Sequence, residues 1–386
     1  MNRLAALLCL VPLLASGADK PPVLVGLDAE FSLDNSLSAQ AIETGLRIAI
    51  GEVNERGGVL GGRELQLVTR DNAANPARGV KNLRELARLP DIVAVFGGRF
   101  SPVLIGQLPV VAETGMLLMA PWSSADPIVD NAMKPNRVFR LSLRDSIAMP
   151  SLLQQARRRG CNDVGLLLSN TGWGRSNKAA ADLWLRDHAL PRLAHTAWFN
   201  FKDTSLVDKY DSLLKAGARC VVFVANDDEA VVFVKEIARL PPSRRVPVYS
   251  HWGVAGGNFA ARAGKALDSV DFTVIQTFSF YRADADALQR FYSAARAFRI
   301  GKADDIVAPA GVAHAYDLMH ILALAIDQAG STDRELVRDA LEKVRDYRGL
   351  VRHYERPFTA ERHDALGPGE VLMARFRADG RIQPIP

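Results

Sequence analysis

Short apolar runs alternate along the chain with longer segments whose apolar residues recur every three or four positions. Val23–Leu27 reads as a strand, and Ser38–Glu55 as a helix with Ile42, Leu46, Ile50 and Val53 on one face. Gly57-Gly58 and Gly61-Gly62 end that helix and turn the chain. Strands are predicted at Leu65–Thr69, Ile92–Phe96 and Met116–Met119, with helices over Pro76–Leu89 and Pro102–Glu113 between them. The pattern then restarts. Helices at Ile147–Arg159, Gly174–His188, Leu206–Ala216 and Glu229–Leu240 alternate with strands at Val164–Leu168, Leu193–Trp198, Val221–Ala225 and Val246–Ser250. A further strand at Val270–Thr277 precedes helical patterns at Ala285–Arg299, Pro309–Ala329 and Thr332–Val344, and the tail from Leu350 to Pro386 reads as irregular and β-rich. Strand-helix alternation implies a parallel sheet covered by helices on both faces, here twice over. The fold class is therefore α/β, with two similar units. Open parallel sheets bind ligands beyond the C-terminal ends of their strands. Two such units facing each other make a cleft, and the residues after each strand are where function is sought.

Composition narrows the class. The 386 residues are enough for two or three domains, and a hydrophobic share of 48% with 24% charged residues excludes a disordered or fibrous chain. The formal charge of +5 is small for this length and no Lys/Arg block stands out, so nucleic acid is not an expected partner. Met1-Asn2-Arg3, the apolar run Leu4–Leu14 and the small residues Ala15–Ala18 have the three-part layout of a secretory leader; cleavage near Ala18 and an exported product are expected. Export would leave Cys161 and Cys220, each just before an apolar run. Either a disulfide or two half-buried thiols fits their placement.

The strand ends carry the candidate chemistry. Gly97-Gly98-Arg99-Phe100-Ser101-Pro102 follows a strand. Ser101 reads as an N-cap and Pro102 as the first helical residue. A helix starting there aims N–H groups and a partial positive charge at an anion, and Arg99 adds a charge. Trp122, Ser123 and Ser124 follow the next strand. Trp173 sits between glycines after Val164–Leu168, Trp252 follows Val246–Ser250, and Asn226 to Glu229 follow Val221–Ala225. Three of the five tryptophans thus fall at strand ends; Trp184 and Trp198, inside a helix and a strand, read as core.

Taken together, these segments resemble the periplasmic solute-binding proteins of the Leu/Ile/Val-binding type that serve ABC importers. The resemblance rests on Gly45…Asn54-Glu-Arg-Gly-Gly58…Gly62, on Asp71-Asn72-Ala73…Pro76, on Val95-Phe96-Gly97-Gly98…Ser101, and on Gly115-Met116…Ala120-Pro121-Trp122-Ser123-Ser124. It implies two Rossmann-like lobes that close on a ligand, joined by three crossovers, near Arg140, Thr277 and Tyr347. The first lobe would be 19–140 with 278–346, and the second 141–277 with 347–386. Ser101 and Ser124 match positions that hold a ligand carboxylate and amino group, Trp122 one that offers its carbonyl, and Trp173 an aromatic covering the ligand. There are departures. Ala74 and Phe100 stand where the family places a small disulfide, Trp252 where it commonly has an acid, and Asn226 where it has a tyrosine. Glu229 or Asp227 is the expected substitute for that acid.

The ligand-binding residues expected are therefore Arg99, Phe100, Ser101, Trp122, Ser123, Ser124, Trp173, Asn226, Glu229 and Trp252. No cofactor or metal is called for. The expected ligand is a small carboxylate, amino-acid-like or aromatic, passed to an inner-membrane ABC permease. A free-standing sensor on the same fold is the alternative. An exported hydrolase ranks below both: Ser212-Leu-Leu-Lys215 has an S-x-x-K spelling but lies on a plain amphipathic helix, and the histidines show no metal-ligand spacing.

Overall fold

The computed structural model describes residues 20–34, 36–377 and 379–385; the expected leader at 1–18 lies outside them. Among the described residues, strands β1 (Val23–Ala29), β2 (Leu65–Asp71), β3 (Ile92–Gly97), β4 (Leu117–Ala120) and β5 (Val138–Arg140) form a parallel sheet in the order β2-β1-β3-β4-β5. Helices α1 (Ser38–Glu55), α2 (Pro76–Ala87) and α3 (Ser101–Thr114) make its first crossovers. The chain then enters a second sheet. Its helices are α4 (Asp145–Arg158), α5 (Gly172–Arg186), α6 (Val207–Lys215), α7 (Asp227–Ile237) and α8 (Phe259–Ala263). Its parallel strands are β6 (Asp163–Ser169), β7 (Arg192–Phe199), β8 (Cys220–Val224), β9 (Val248–Ser250) and β10 (Phe272–Gln276).

After β10 the chain returns to the first sheet with α9 (Ala285–Ala294), α10 (Pro309–Ala329) and α11 (Arg334–Leu341). A small hairpin of β11 (Tyr347–Arg348) and β12 (His353–Tyr354) follows. Then β13 (Leu372–Phe376) joins the second sheet antiparallel to β10, and β14 (Ile382–Pro384) joins antiparallel to β13, giving the order β14-β13-β10-β9-β8-β6-β7. The sheets are parallel in their bodies, and the irregular tail supplies the antiparallel edge.

The unbroken apolar runs in β6 and β8 explain themselves once the faces are separated. Side chains alternate across a strand. Leu166, Leu168, Val222 and Val224 join a core continuous with that of the first sheet, while Leu167, Val221 and Phe223 face a second core under α6 and α7. Helix α10 is long and apolar enough, by length and composition, to cross a bilayer, yet 89% of its most apolar window is buried inside the protein. Gly45 lets α1 approach it closely, since a Cβ there would lie 2.2 Å from the Val312 carbonyl oxygen.

Two expectations change. Trp184 and Trp198, read as core, are only half-buried, because the helix face and edge strand that carry them are partly open to solvent. Trp184 stacks instead on His188, ring centroids 3.9 Å apart. The cysteine alternatives resolve to a pair: Cys161 and Cys220 are disulfide-bonded, Cα atoms 6.1 Å apart, beside the Val164–Cys220 register of β6 and β8.

The segment from Tyr347 to Asp364 holds to the first lobe. Asp317 on α10 accepts from the Leu350 amide (2.6 Å), the Val351 amide (2.8 Å) and the Tyr354 hydroxyl (3.0 Å). His363 stacks on Phe139, and Asp364 lies beside Arg140 as a one-residue parallel bridge to β5. On these contacts we propose that the third crossing lies near Asp364, beside the first, rather than near Tyr347.

Candidate functional site

The C-terminal ends of both sheets face one another. All ten expected site residues are buried there, although every one stands in a loop or the first turn of a helix. Loops normally run over the surface. Some are covered by the opposite lobe, as Arg99 is, and others by their own, as Trp122 and Glu229 are.

On the first lobe, the Ser123 hydroxyl donates to the Gly98 carbonyl (2.9 Å), tying the ends of β3 and β4 together. Ser101 is the first residue of α3, and Phe100 takes the cap position. Its hydroxyl does not cap the helix, because it accepts from the Ala125 amide (3.3 Å). Pro102 has no N–H, and the Val103 amide is taken by the Phe100 carbonyl (2.9 Å). The start of α3 thus offers its dipole and the Ser101 hydroxyl more than a fan of free amides. Trp122 rests on its own lobe: a Cβ on Gly311 of α10 would lie 2.4 Å from its ring.

On the second lobe, Trp173 occupies the first turn of α5, whose N-cap Thr171 accepts from the Gly174 amide. The Trp173 indole N–H donates to Asp145 Oδ1 (3.3 Å), and His251 Nε2 lies 3.2 Å from the same oxygen. The His251 ring meets Trp173 edge-on at 5.0 Å and Trp252 at 4.3 Å. Asp145 itself is anchored to the first lobe, its amide donating to the Ser124 carbonyl (3.0 Å). Trp173, Trp252, His251, Asp145 and Ser124 therefore form one group at the back of the cleft. Two of its polar atoms, Asp145 Oδ2 and His251 Nδ1, are buried without a protein partner.

Arg99, Phe100 and Asp227 form a second group. Arg99 reaches across to the other lobe, and the Phe100 ring meets Phe201 edge-on at 5.9 Å. Glu229 lies under the Phe201 loop and accepts from the Lys202 amide (3.2 Å). Burial raises its pKa above the usual carboxylate range, and its Oε2 has no protein partner. Asn226 caps α7 without a side-chain bond, beside Gly253. Other contacts between the lobes include the Leu37 amide to the Gly256 carbonyl (2.8 Å), the Asp126 amide to the Ser176 hydroxyl (2.9 Å) and the close approach of Ile105 to Gly172.

The back wall is held by His314 of α10. Its Nδ1 lies 2.9 Å from the Pro121 carbonyl and its Nε2 2.9 Å from the Thr277 hydroxyl at the second crossing. A ring N–H donating to the carbonyl leaves Nε2 to accept from the hydroxyl, and burial drives the pKa down to about 4, so the ring is neutral. Asp145 was missed by sequence reasoning, which starts α4 two residues late. The only available signal was an acid at a helix start, where acids are common for their own sake.

A family model described as a periplasmic binding protein matches residues 22–381. A curated relative, Leu/Ile/Val-binding protein homolog 2 of Brucella abortus, is 22% identical over 378 residues, covering 97% of this chain and 96% of its own. Two solved structures share the fold. The branched-chain amino acid transporter substrate binding protein LivJ of Streptococcus pneumoniae, in complex with isoleucine, matches with TM-score 0.76 at 18% identity, covering 94% of this chain and 100% of that one. A solute binding protein of an ABC transporter from Rhodopseudomonas palustris, in complex with p-hydroxybenzoic acid, matches with TM-score 0.79 at 16% identity, covering 94% and 95%. With the family model spanning nearly the whole described chain over two sheets that face one cleft, this protein belongs to the periplasmic binding proteins, with the type I fold.

Proposed function

We propose that this protein is the exported solute-binding component of an ABC importer, and that it holds a small carboxylate between its lobes for delivery to a membrane permease. One observation carries the reading: the strand ends of both sheets meet in a single buried seam, where aromatic rings and polar atoms without protein partners lie together. The Ser101 hydroxyl at the start of α3 suits the carboxylate. Asp145 Oδ2 suits an amino group, replacing the acid expected where Trp252 stands. Trp173 and Trp252 suit an apolar or aromatic body. The relatives solved with isoleucine and with p-hydroxybenzoic acid bracket this range. The Cys161–Cys220 disulfide agrees with an oxidising compartment such as the periplasm.

Micromolar affinity requires about 8 kcal/mol. An anion at a helix start contributes about 1–2 kcal/mol, so burial of the ligand body must supply most of the remainder. Closure follows from differential contact, since a ligand touching both lobes binds the closed form better. Titrating leucine, phenylalanine, p-hydroxybenzoate and glycine betaine while following tryptophan emission and melting temperature tests the reading. At least one of these should shift both. If none shifts either, the cleft assignment falls. Recovery of the added compound unchanged after long incubation separates binding from turnover.

A further inference from the structure

We propose that Arg99 and Asp227 form a latch across the cleft that sets the balance between closed and open lobes. The proposal rests on the reading of the cleft as a ligand site and adds to it a pair of positioning residues, neither of which need touch the ligand. Arg99 leaves the first lobe after β3, and its Nη1 donates to Asp227 Oδ1 (2.6 Å) and to the Gly253 carbonyl (3.1 Å), both on the second lobe. Both side chains are nearly sealed from solvent, at 4% and 3% exposure. The second lobe is shaped to the guanidinium: a Cβ on Gly256 would lie 2.1 Å from Arg99 Nη1 and 2.7 Å from its Cδ. Asp227 is the first residue of α7, where the helix dipole favours a carboxylate, and Arg262 Nη1 stands 3.4 Å from its other oxygen. The root of the latch is also fixed, because the Arg99 amide donates to Glu30 Oε2 (3.3 Å).

The physics makes the pair a condition of closure and register more than a large net stabilisation. Both charges lose water when the lobes meet, and their attraction roughly offsets that loss. Removing Asp227 leaves the Arg99 charge buried and uncompensated in the closed form, although the open form can hydrate it, whereas Asp227 without Arg99 still has Arg262 beside it. Substituting Asp227 alone should therefore push the lobes apart, while replacing both partners by apolar residues should not. Lysine at 99 keeps one charge but lacks the guanidinium that fills the space over Gly256.

Small-angle scattering on the purified protein, without added solute, tests this directly. Asp227→Asn should give a larger radius of gyration than the unmodified protein, with at least a tenfold fall in the ratio of closed to open forms. Arg99→Lys should fall between, and the double variant Arg99→Met/Asp227→Leu should return to the compact form. Melting temperature and circular dichroism confirm that each variant folds. Asp227→Asn changes little in shape, and the apolar double variant provides the second arm. Equal radii for the unmodified protein and Asp227→Asn overturn the latch, as does a double variant as open as the single one. Failure of the cleft reading shows separately, as absence of any emission change with leucine, phenylalanine or p-hydroxybenzoate in the unmodified protein.

Discussion

Two buried arginine–aspartate pairs lie near the cleft, with the same chemistry and different surroundings. Arg140, wholly buried, donates through Nε to Asp364 Oδ1 (2.5 Å) and through Nη1 to the Ser124 and Ala125 carbonyls (2.9 Å each). The backbone around it is knitted as well, with the Arg140 amide bonded to the His363 carbonyl (2.8 Å) and the Ala365 amide to the Arg140 carbonyl (2.9 Å). On the proposed crossing near Asp364, that pair sits where the chain passes between lobes and should stay together whichever way the lobes swing. Arg99–Asp227 joins elements of opposite lobes and exists only when they touch. A buried ion pair can thus be a fixed strut or a conditional contact, and the backbone around it shows which.

The comparison breaks or sharpens under substitution. The largest effect is expected for Asp364→Ala, which strands a buried guanidinium in every state and should cost about 3–5 kcal/mol of folding stability in denaturant titration. Asp227→Asn should cost far less, because opening the lobes hydrates Arg99; equal losses for the two would show that both pairs are struts. Reducing Cys161–Cys220 should come next. The loop it closes spans 59 residues, for which chain entropy gives about 4 kcal/mol. The loss should fall on the second lobe, seen as a separate early transition in calorimetry, whereas a uniform shift would mean the lobes unfold as one.

Binding variants follow. Trp173→Ala should weaken the best ligand by about 2 kcal/mol and also lower the melting temperature, since it empties a buried site; Ser101→Ala should weaken it by about 1 kcal/mol with a smaller change in melting temperature. Near-unmodified affinity in both would dismiss the site as drawn. The smallest net effect concerns pH. Burial raises Asp28 from 3.8 to about 7 despite donors from Asn82 and Gln107. A group that binds its proton more tightly when folded contributes stability that fades as pH climbs from about 4 to 7. His314, depressed to about 4, contributes in the opposite sense, adding stability as pH rises to the ordinary histidine value of 6.5. Asp28→Asn should therefore steepen the gain in melting temperature between pH 4 and 7. Parallel curves for variant and parent would show that Asp28 stays charged.

The fold was largely legible because its strands are short apolar runs and its helices carry regular stripes. Ser38–Glu55 and Pro309–Ala329 are found where the periodicity places them. The short elements were not. Strand β5, the hairpin Tyr347–Tyr354 and the turn Trp252–Gly256 carry no period to read, and tertiary contacts decide them. For the site, the sequence could say which residues follow strands but not which atoms they meet. Ser101 looks like a cap because Ser-Pro usually is one, and only the nearby Ala125 amide diverts its hydroxyl. Asp145 is invisible as an ordinary helix-start acid until the fold brings Trp173 and His251 onto it. Arg99 was legible as a charge at a strand end. Its partner was not, because Asp227 lies 128 residues away.

The contact between Trp122 and Gly311 has a practical consequence for anyone watching this protein by light. That indole is keyed to α10 and travels with it as one body, so its glow is a steady background whichever way the jaws swing. Trp173 and Trp252 sit on the seam between the lobes, and a colour change when a solute is added is expected from them.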